Sequence, residues 1–198
     1  MNSRNFFEEL LIRLLCVFIP CKKIRRNFRI RARLVKFLPY KYGIKNVANH
    51  VGKNFCVGGC SYASKKTFIG DNVVFNGMNI RGDGSVHIGN YFTCGPECMI
   101  LTQSHDYDNG ETIPYDREKY IVKPVVIEDF VWLGSRVTVL PGTHIEEGAI
   151  IQAGAVVHGH IPKYAIAGGN PAKVFKYRDI EHYEKLKSEQ KFYRHIPE

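Results

Sequence analysis

The chain has 198 residues, 24% of them charged, and a net charge of +9, enough for one sizeable core and a small appendage. The excess charge is local: residues 1–53 hold 13 Lys and Arg against 2 Glu, which leaves 15 cations and 17 anions for the rest. This argues against a nucleic-acid enzyme, whose basic residues would line its working face, and reads as a basic docking element on a near-neutral body.

Residues 1–45 form the first predicted element, a basic amphipathic helical segment. The stretch "FFEELLIRLLCVFIPCKKIRRNFRIRARLVKFLPYKYG" sets Phe6, Phe7, Leu10, Leu11, Leu14 and Phe18 on one helical face. Pro20 ends that helix and a run of Lys and Arg follows. Arg13 interrupts the apolar run, no small-residue cleavage site follows it, and it falls short of the ~20 residues of a spanning helix, so neither a signal peptide nor a span is expected. Two readings stay open. The segment docks on an anionic membrane surface through residues 1–40, or it covers the first coil of the body. Without a signal the expected location is the cytoplasm, at the inner membrane face under the docking reading. The six cysteines (Cys16, Cys21, Cys56, Cys60, Cys94 and Cys98) then read as reduced thiols. Two of their pairs are C-x3-C, which is not the usual zinc spacing, so no metal is expected.

Residues 46–178 repeat with a period of six. Ile127, Leu133, Val139, Ile145, Ile151 and Val157 recur at that interval. The residues two before them from Leu133 on (Val131, Val137, Thr143, Ala149 and Ala155) are small or β-branched. A helix repeats every 3 to 4 residues and a strand every 2, so this period suits short strands joined by tight bends. Broken copies begin at Val51-Gly52, Ile69-Gly70 and Ile88-Gly89, the last in register through Cys94 and Ile100. The predicted body is a three-sided parallel β column, one aliphatic side chain per side pointing to the axis, with coils stacked ~4.8 Å apart. Residues 101–125 interrupt it as a long polar loop, a length that is usually functional or disordered. Near the end, "AIAGGNPAKVFKYR" bends and presents Lys173, Lys176 and Arg178. Residues 179–198 close the chain with a short amphipathic helix marked by Ile180, Tyr183 and Leu186.

The stretch "VVIEDFVWLGSRVTVLPGTHIEEGAIIQAGAVV" followed by "IPKYAIAGGNPAKVFKYR" resembles the C-terminal half of the hexapeptide-repeat acetyltransferases. These include galactoside, maltose, nodulation-factor, xenobiotic and polysaccharide O-acetyltransferases. The similarity covers about residues 50–178, and "GNPAK", "VWLGS" and "QAGAVV" are specific in combination. It implies a left-handed parallel β-helix, a homotrimer, acetyl-CoA as donor and an active site between neighbouring prisms.

The same resemblance places a general base at His105, in "QSHDYDN". The chemistry agrees independently. An alcohol attacking a thioester must lose a proton, and imidazole is the side chain that accepts one near neutral pH. The thiol leaving group needs only modest help in return, and no acyl-enzyme is required. Asp106, Glu97 and Asp83 are candidates to orient the imidazole. Asp83 also matches an acceptor-binding aspartate and Asn76 lies near a substrate asparagine, although "FNG" and "GDG" are turn signals in any case. These four are the acceptor-side candidates. For the donor, Gly134, Ser135, Ala153 and Gly154 match contact positions along the amide arm, and Trp132 packs against it. The bend from Gly168 to Pro171 brings backbone near the nucleotide, leaving Lys173 and Lys176, with Arg178, to meet phosphates. The chain departs from the family in Glu128 and Glu146, where small residues are usual. His158-Gly159 also replaces a donor-contacting cation, for which Lys163 is the expected substitute.

The implied function is acetyl transfer from acetyl-CoA to a sugar hydroxyl in cell-surface polysaccharide (lipopolysaccharide, O-antigen or capsule) biosynthesis. The basic N-terminal segment resembles those of lipopolysaccharide and capsule-assembly enzymes, which suggests a lipid-linked glycan acceptor. An amino-sugar N-acetyltransferase, a xenobiotic acetyltransferase and a non-catalytic β-helical scaffold are the alternatives. A metal-dependent hydratase of the γ-carbonic anhydrase type shares the fold but would need three convergent histidines, and no H-x4-H stands in the loop.

Overall fold

Short strands of two to five residues alternate with bends from His50 to Leu101 and again from Val125 to Gly169, as a six-residue apolar period demands. The computed structural model describes residues 37–193; the amphipathic helix expected over Phe6 to Phe18, whether it docks on a membrane or covers the first coil, lies outside them. The chain divides into two units, residues 1–39 and 40–198, and the second contains the column. A helix at Leu38–Val47 precedes the first strand and runs past the expected element boundary after residue 45. Among the described residues, no helix is long and apolar enough to cross a membrane.

Three parallel sheets form the sides. The first face stacks His50–Val51, Thr67–Ile69, Val86–Ile88, Val125–Ile127, His144–Ile145 and His160–Ile161. The second stacks Cys56–Val57, Val74–Phe75, Thr93–Cys94, Trp132–Leu133, Ile150–Ile151 and Ala165–Gly169, and Ala172–Tyr177 folds back antiparallel on the last. Met78–Arg81, Cys98–Leu101, Thr138–Val139 and Val156–Val157 make the third. Each register aligns one inward residue per coil. Ile69, Ile88, Ile127, Ile145 and Ile161 form one buried stack. Val57, Phe75, Cys94, Leu133, Ile151 and Ala167 form the second. Ile80, Ile100, Val139 and Val157 form the third. Val131, Val137, Thr143, Ala149 and Ala155 are buried with them and fill the space beside the corners. Each such aliphatic side chain contributes about 1.5–3 kcal/mol by leaving water.

The corners are as regular as the sides. Between the first and second faces, one residue per coil takes a left-handed conformation: Asn54, Asn72, Tyr91, Phe130, Gly148 and Tyr164. Asn tolerates that region well. Tyr91 and Phe130 offset its cost by stacking in adjacent coils, ring centroids 5.0 Å apart and 5° from parallel. Side chains along this corner also tie coil to coil. Asp71 Oδ1 accepts the Lys53 N–H at 2.6 Å, Asn90 Oδ1 the Asp71 N–H at 2.8 Å, and Asp129 Oδ1 the Asn90 N–H at 2.6 Å.

Glu128 and Glu146 also tie coil to coil, from the position one residue earlier in the coil. Glu128 bridges His144 Nε2 (2.8 Å) and the Glu147 N–H (3.0 Å). Glu146 bridges His160 Nε2 (2.8 Å) and the Lys163 N–H (2.7 Å). A carboxylate fits here because the next coil presents both a histidine and a backbone amide to it.

The tail packs back on the same corner. Asp179 caps the helix Ile180–Ser188 by accepting the His182 N–H. Arg178 Nε donates to the Gly148 carbonyl at 2.6 Å, and Lys187 reaches Glu147.

Candidate active site

The segment read as a loop is a β-hairpin. Gln103–Asp106 pairs antiparallel with Asp116–Val122, with a register shift between Asp116 and Tyr120. It rises from the corner between the third and first faces, in the gap between Leu101 and Val125. Asp116 organises its tip. Its carboxylate is buried and accepts the N–H groups of Glu118 (2.8 Å), Glu111 (3.1 Å) and Lys119 (3.2 Å). Those bonds, led by Glu118, hold the carboxyl below its ordinary range.

His105 sits half-buried on the first hairpin strand, opposite Tyr120. Its Nδ1 lies 3.2 Å from the Asp116 carbonyl oxygen. A carbonyl only accepts, so Nδ1 carries the proton and the lone pair is on Nε2. The rings of Tyr115 and Tyr120 lie beside the imidazole, with centroids 4.2 and 4.6 Å away. An imidazole held in this tautomer is prepared to take a proton at Nε2.

Two of the three carboxylates expected to orient that ring have other partners. Asp106 turns into its own loop and accepts the Asn109 N–H (2.9 Å) and the Asp108 N–H (3.1 Å), which lower its pKa. Glu97 lies on the opposite side of the third face, paired with Arg136 at 2.7 Å and largely exposed. Asp83 does share the hairpin's corner, one coil earlier, and its N–H donates to the Gln103 side chain at 2.9 Å. The group that orients the ring is therefore a backbone carbonyl, which has no sequence signature. Tyr115 and Tyr120 carried a weak one, as aromatic residues in an otherwise polar stretch.

Four of the donor candidates gather on a different edge, the corner between the second and third faces. Gly134, Ser135, Ala153 and Gly154 stack there in consecutive coils, joined by the bond from Gly154 N–H to the Ser135 carbonyl (2.8 Å). A Cβ on Gly134 would stand 2.5 Å from the Ala153 nitrogen, so only glycine lets the coils close. Asn76 and Glu97 lie on this edge too, in the earlier coils, and Asn76 Nδ2 donates to the Cys94 carbonyl (2.9 Å). Beneath the edge the buried Cys98 thiol donates to the Gly134 carbonyl at 3.0 Å. The four described cysteines are free thiols, and no group of three or more metal-ligating side chains exists among the described residues.

The bend after Gly168 is the turn of an antiparallel hairpin, with a cis Asn170–Pro171 bond, in which Lys173 lies across from Gly168 and Lys176 from Ile166. Both lysines are exposed. Lys163 and Arg178 do not join them. Lys163 stands at the corner between the first and second faces, 3.5 Å from Glu147 and 3.9 Å from Glu184, with its ammonium 4.7 Å above the Tyr164 ring. Arg178 is half-buried over Tyr183 and holds the Gly148 carbonyl. Trp132 is half exposed on the second face. It lines a cavity of about 310 Å³ with Tyr91, Phe130, Arg178, Tyr183 and Phe192; neither His105 nor the Gly134–Gly154 edge reaches this space.

Comparison with known proteins agrees with this architecture. The model of the bacterial transferase hexapeptide family (six repeats) matches residues 124–159. Escherichia coli K12 WbbJ, assigned to lipopolysaccharide biosynthesis as an O-acetyl transferase, is 32% identical over 180 residues, covering 82% of this chain and 89% of its own. A galactoside O-acetyltransferase of Lactococcus lactis is 30% identical over 135 residues, covering 66% and 64%. Among solved structures, the Vibrio cholerae hexapeptide-repeat acetyltransferase VCA0836, complexed with acetyl coenzyme A, shares the fold with a TM-score of 0.60 at 22% identity, over 86% of this chain and 85% of that one. With the six-residue column, its glycine-lined edge and a relative matched over most of both lengths, the chain belongs to the hexapeptide-repeat acetyltransferases.

Proposed function

We propose that this acetyltransferase takes acetyl-CoA as donor and acylates a sugar hydroxyl in cell-surface polysaccharide biosynthesis, with His105 as general base. The observation that carries the reading is the bond from His105 Nδ1–H to the Asp116 carbonyl, which leaves Nε2 as the basic atom. In the reaction the acceptor O–H gives its proton to Nε2 as the oxygen bonds to the thioester carbon. The tetrahedral intermediate then collapses, the C–S bond breaks, and the imidazolium returns the proton to the departing sulfur. One imidazole serves both steps, so no covalent enzyme intermediate forms.

The site closes between copies of the chain. His105 and the Gly134–Gly154 edge occupy different corners of one column, a full face apart. Setting the hairpin of one copy against the glycine edge of the next completes the site, and threefold repetition closes the ring. The stacked amides of the edge receive the thin pantetheine arm, and Lys173 and Lys176 meet the phosphates. The names of the Escherichia coli and Lactococcus relatives, a lipopolysaccharide biosynthesis O-acetyl transferase and a galactoside O-acetyltransferase, favour a sugar hydroxyl as acceptor.

The test measures thiol release from acetyl-CoA with free sugars, nucleotide sugars, lipid-linked glycans and their amino-sugar counterparts, and locates the new acetyl group by NMR. Acetyl ester on a sugar oxygen is the expected product. Acetamide formation alone would replace this reading with N-acetylation, and no thiol release with any acceptor would overturn it.

A further inference from the structure

Proton transfer at His105 leaves two neighbouring side chains without a role. Tyr115 and Tyr120 turn their rings to the imidazole, with centroids 4.2 and 4.6 Å away and planes inclined by 23° and 35°. Both remain nearly half exposed, at 44% and 48%, so neither is there to fill a core. The hairpin has other supports, namely its backbone ladder and the three amide bonds to Asp116. A ring face attracts a cation but gains far less from a neutral imidazole. The attraction therefore grows as the proton arrives, which is the condition for lowering a barrier.

We propose that Tyr115 and Tyr120 are positioning residues that stabilise the imidazolium form of His105 during transfer, a proposal that rests on His105 being the base. The phenol oxygens are not needed for this, only the ring faces. The charged groups nearest His105 in the chain and on the preceding coil are tied to partners other than these rings or stand apart from them. The Asp106 and Asp116 carboxylates are bound to loop amides, Lys119 is paired with Glu111 and Asp116, and Asp83 lies on the preceding coil.

The experiment records kcat/KM against pH for the parent, Tyr115→Leu, Tyr120→Leu, Tyr115→Phe, Tyr120→Phe and His105→Ala, using whichever acceptor is turned over. Each Leu variant is expected to lower the plateau roughly threefold and to move the acid limb about half a pH unit lower, because the imidazole gives up its proton more readily once the ring is gone. The Phe variants should keep the parent's limb and at least half its plateau. A merely structural role would lower the plateau and leave the limb in place. An unmoved limb in both Leu variants, or Phe variants as impaired as Leu, overturns the proposal while leaving His105 as base. Undiminished activity in His105→Ala removes the base itself, and the proposal with it.

Discussion

The replacement of Gly134 by Ala puts the stacked-edge geometry at risk in a calculable way. Gly134 is not in the left-handed region, so the cost is purely one of space. Its Cβ would stand 2.5 Å from the Ala153 nitrogen and 2.9 Å from its Cα, where ordinary contact begins at 3.4 Å. Those atoms are backbone, so relief requires the two coils to part by the better part of an ångström. Two bonds span that gap: Gly134 N–H to the Ile151 carbonyl and Gly154 N–H to the Ser135 carbonyl, both 2.8 Å. Stretching them that far forfeits about 1 kcal/mol each, and overpacking adds about 1–3 kcal/mol. The sum, roughly 3–5 kcal/mol, corresponds to a fall in Tm on the order of 10 °C for a chain of this length. Gly154→Ala is the internal control. Its Cβ meets nothing within 4 Å, but its φ is +75°, so only the conformational cost of about 1–2 kcal/mol applies. Differential scanning fluorimetry on the two variants separates the effects. If Gly134→Ala melts within a degree of the parent, or no lower than Gly154→Ala, the close stacking described for this edge is wrong.

Three further outcomes follow from the tail, the corner and the lysines. Arg178→Ala removes the bond to Gly148 and the contact with Tyr183, so amide exchange across Ile180–Ser188 should accelerate about 10- to 100-fold by mass spectrometry while the core strands stay protected. Glu146 is held below its ordinary 4.5, first by its bond from His160; the unfolded chain takes up that proton first, so the stabilisation is complete above about pH 5 and is lost as pH falls below 4.5 through the lowered folded value. The parent's Tm should accordingly fall more steeply than that of Glu146→Gln between about pH 5 and pH 3, and parallel curves would contradict the Glu146–His160 pairing. Joint replacement of Lys173 and Lys176 by Ala should raise the KM for acetyl-CoA about tenfold at low salt with kcat little changed, and the ratio should shrink as salt rises; a salt-independent effect would remove them from the phosphates.

What the sequence revealed, and what it hid, follows from periodicity. Aliphatics every six residues announced the buried stacks because each side of the column needs one inward group per coil, and Ile127 to Val157 all occupy such positions. The hairpin was illegible because its strands have no buried face: Arg117, Glu118, Lys119 and Tyr120 are all exposed, and only cross-strand bonds and the Asp116 carboxylate define it. Glu128 and Glu146 looked like departures when considered singly. Their partners, His144 and His160, stand one coil on along the same face, so coil-to-coil counting exposes the pairs. The same count separates Lys163 from Lys173. Lys163 follows a first-face strand and falls at the corner with Glu147, whereas Gly134 and Ala153 follow second-face strands and fall on the other edge.

Under the proposed mechanism, Nε2 of His105 removes the acceptor's proton. The most direct measurement of this step is kcat of His105→Ala with saturating acetyl-CoA and acceptor, alongside its melting curve. A loss of at least about 100-fold, with Tm within a degree or two of the parent, is predicted. Turnover equal to the parent's would contradict the account.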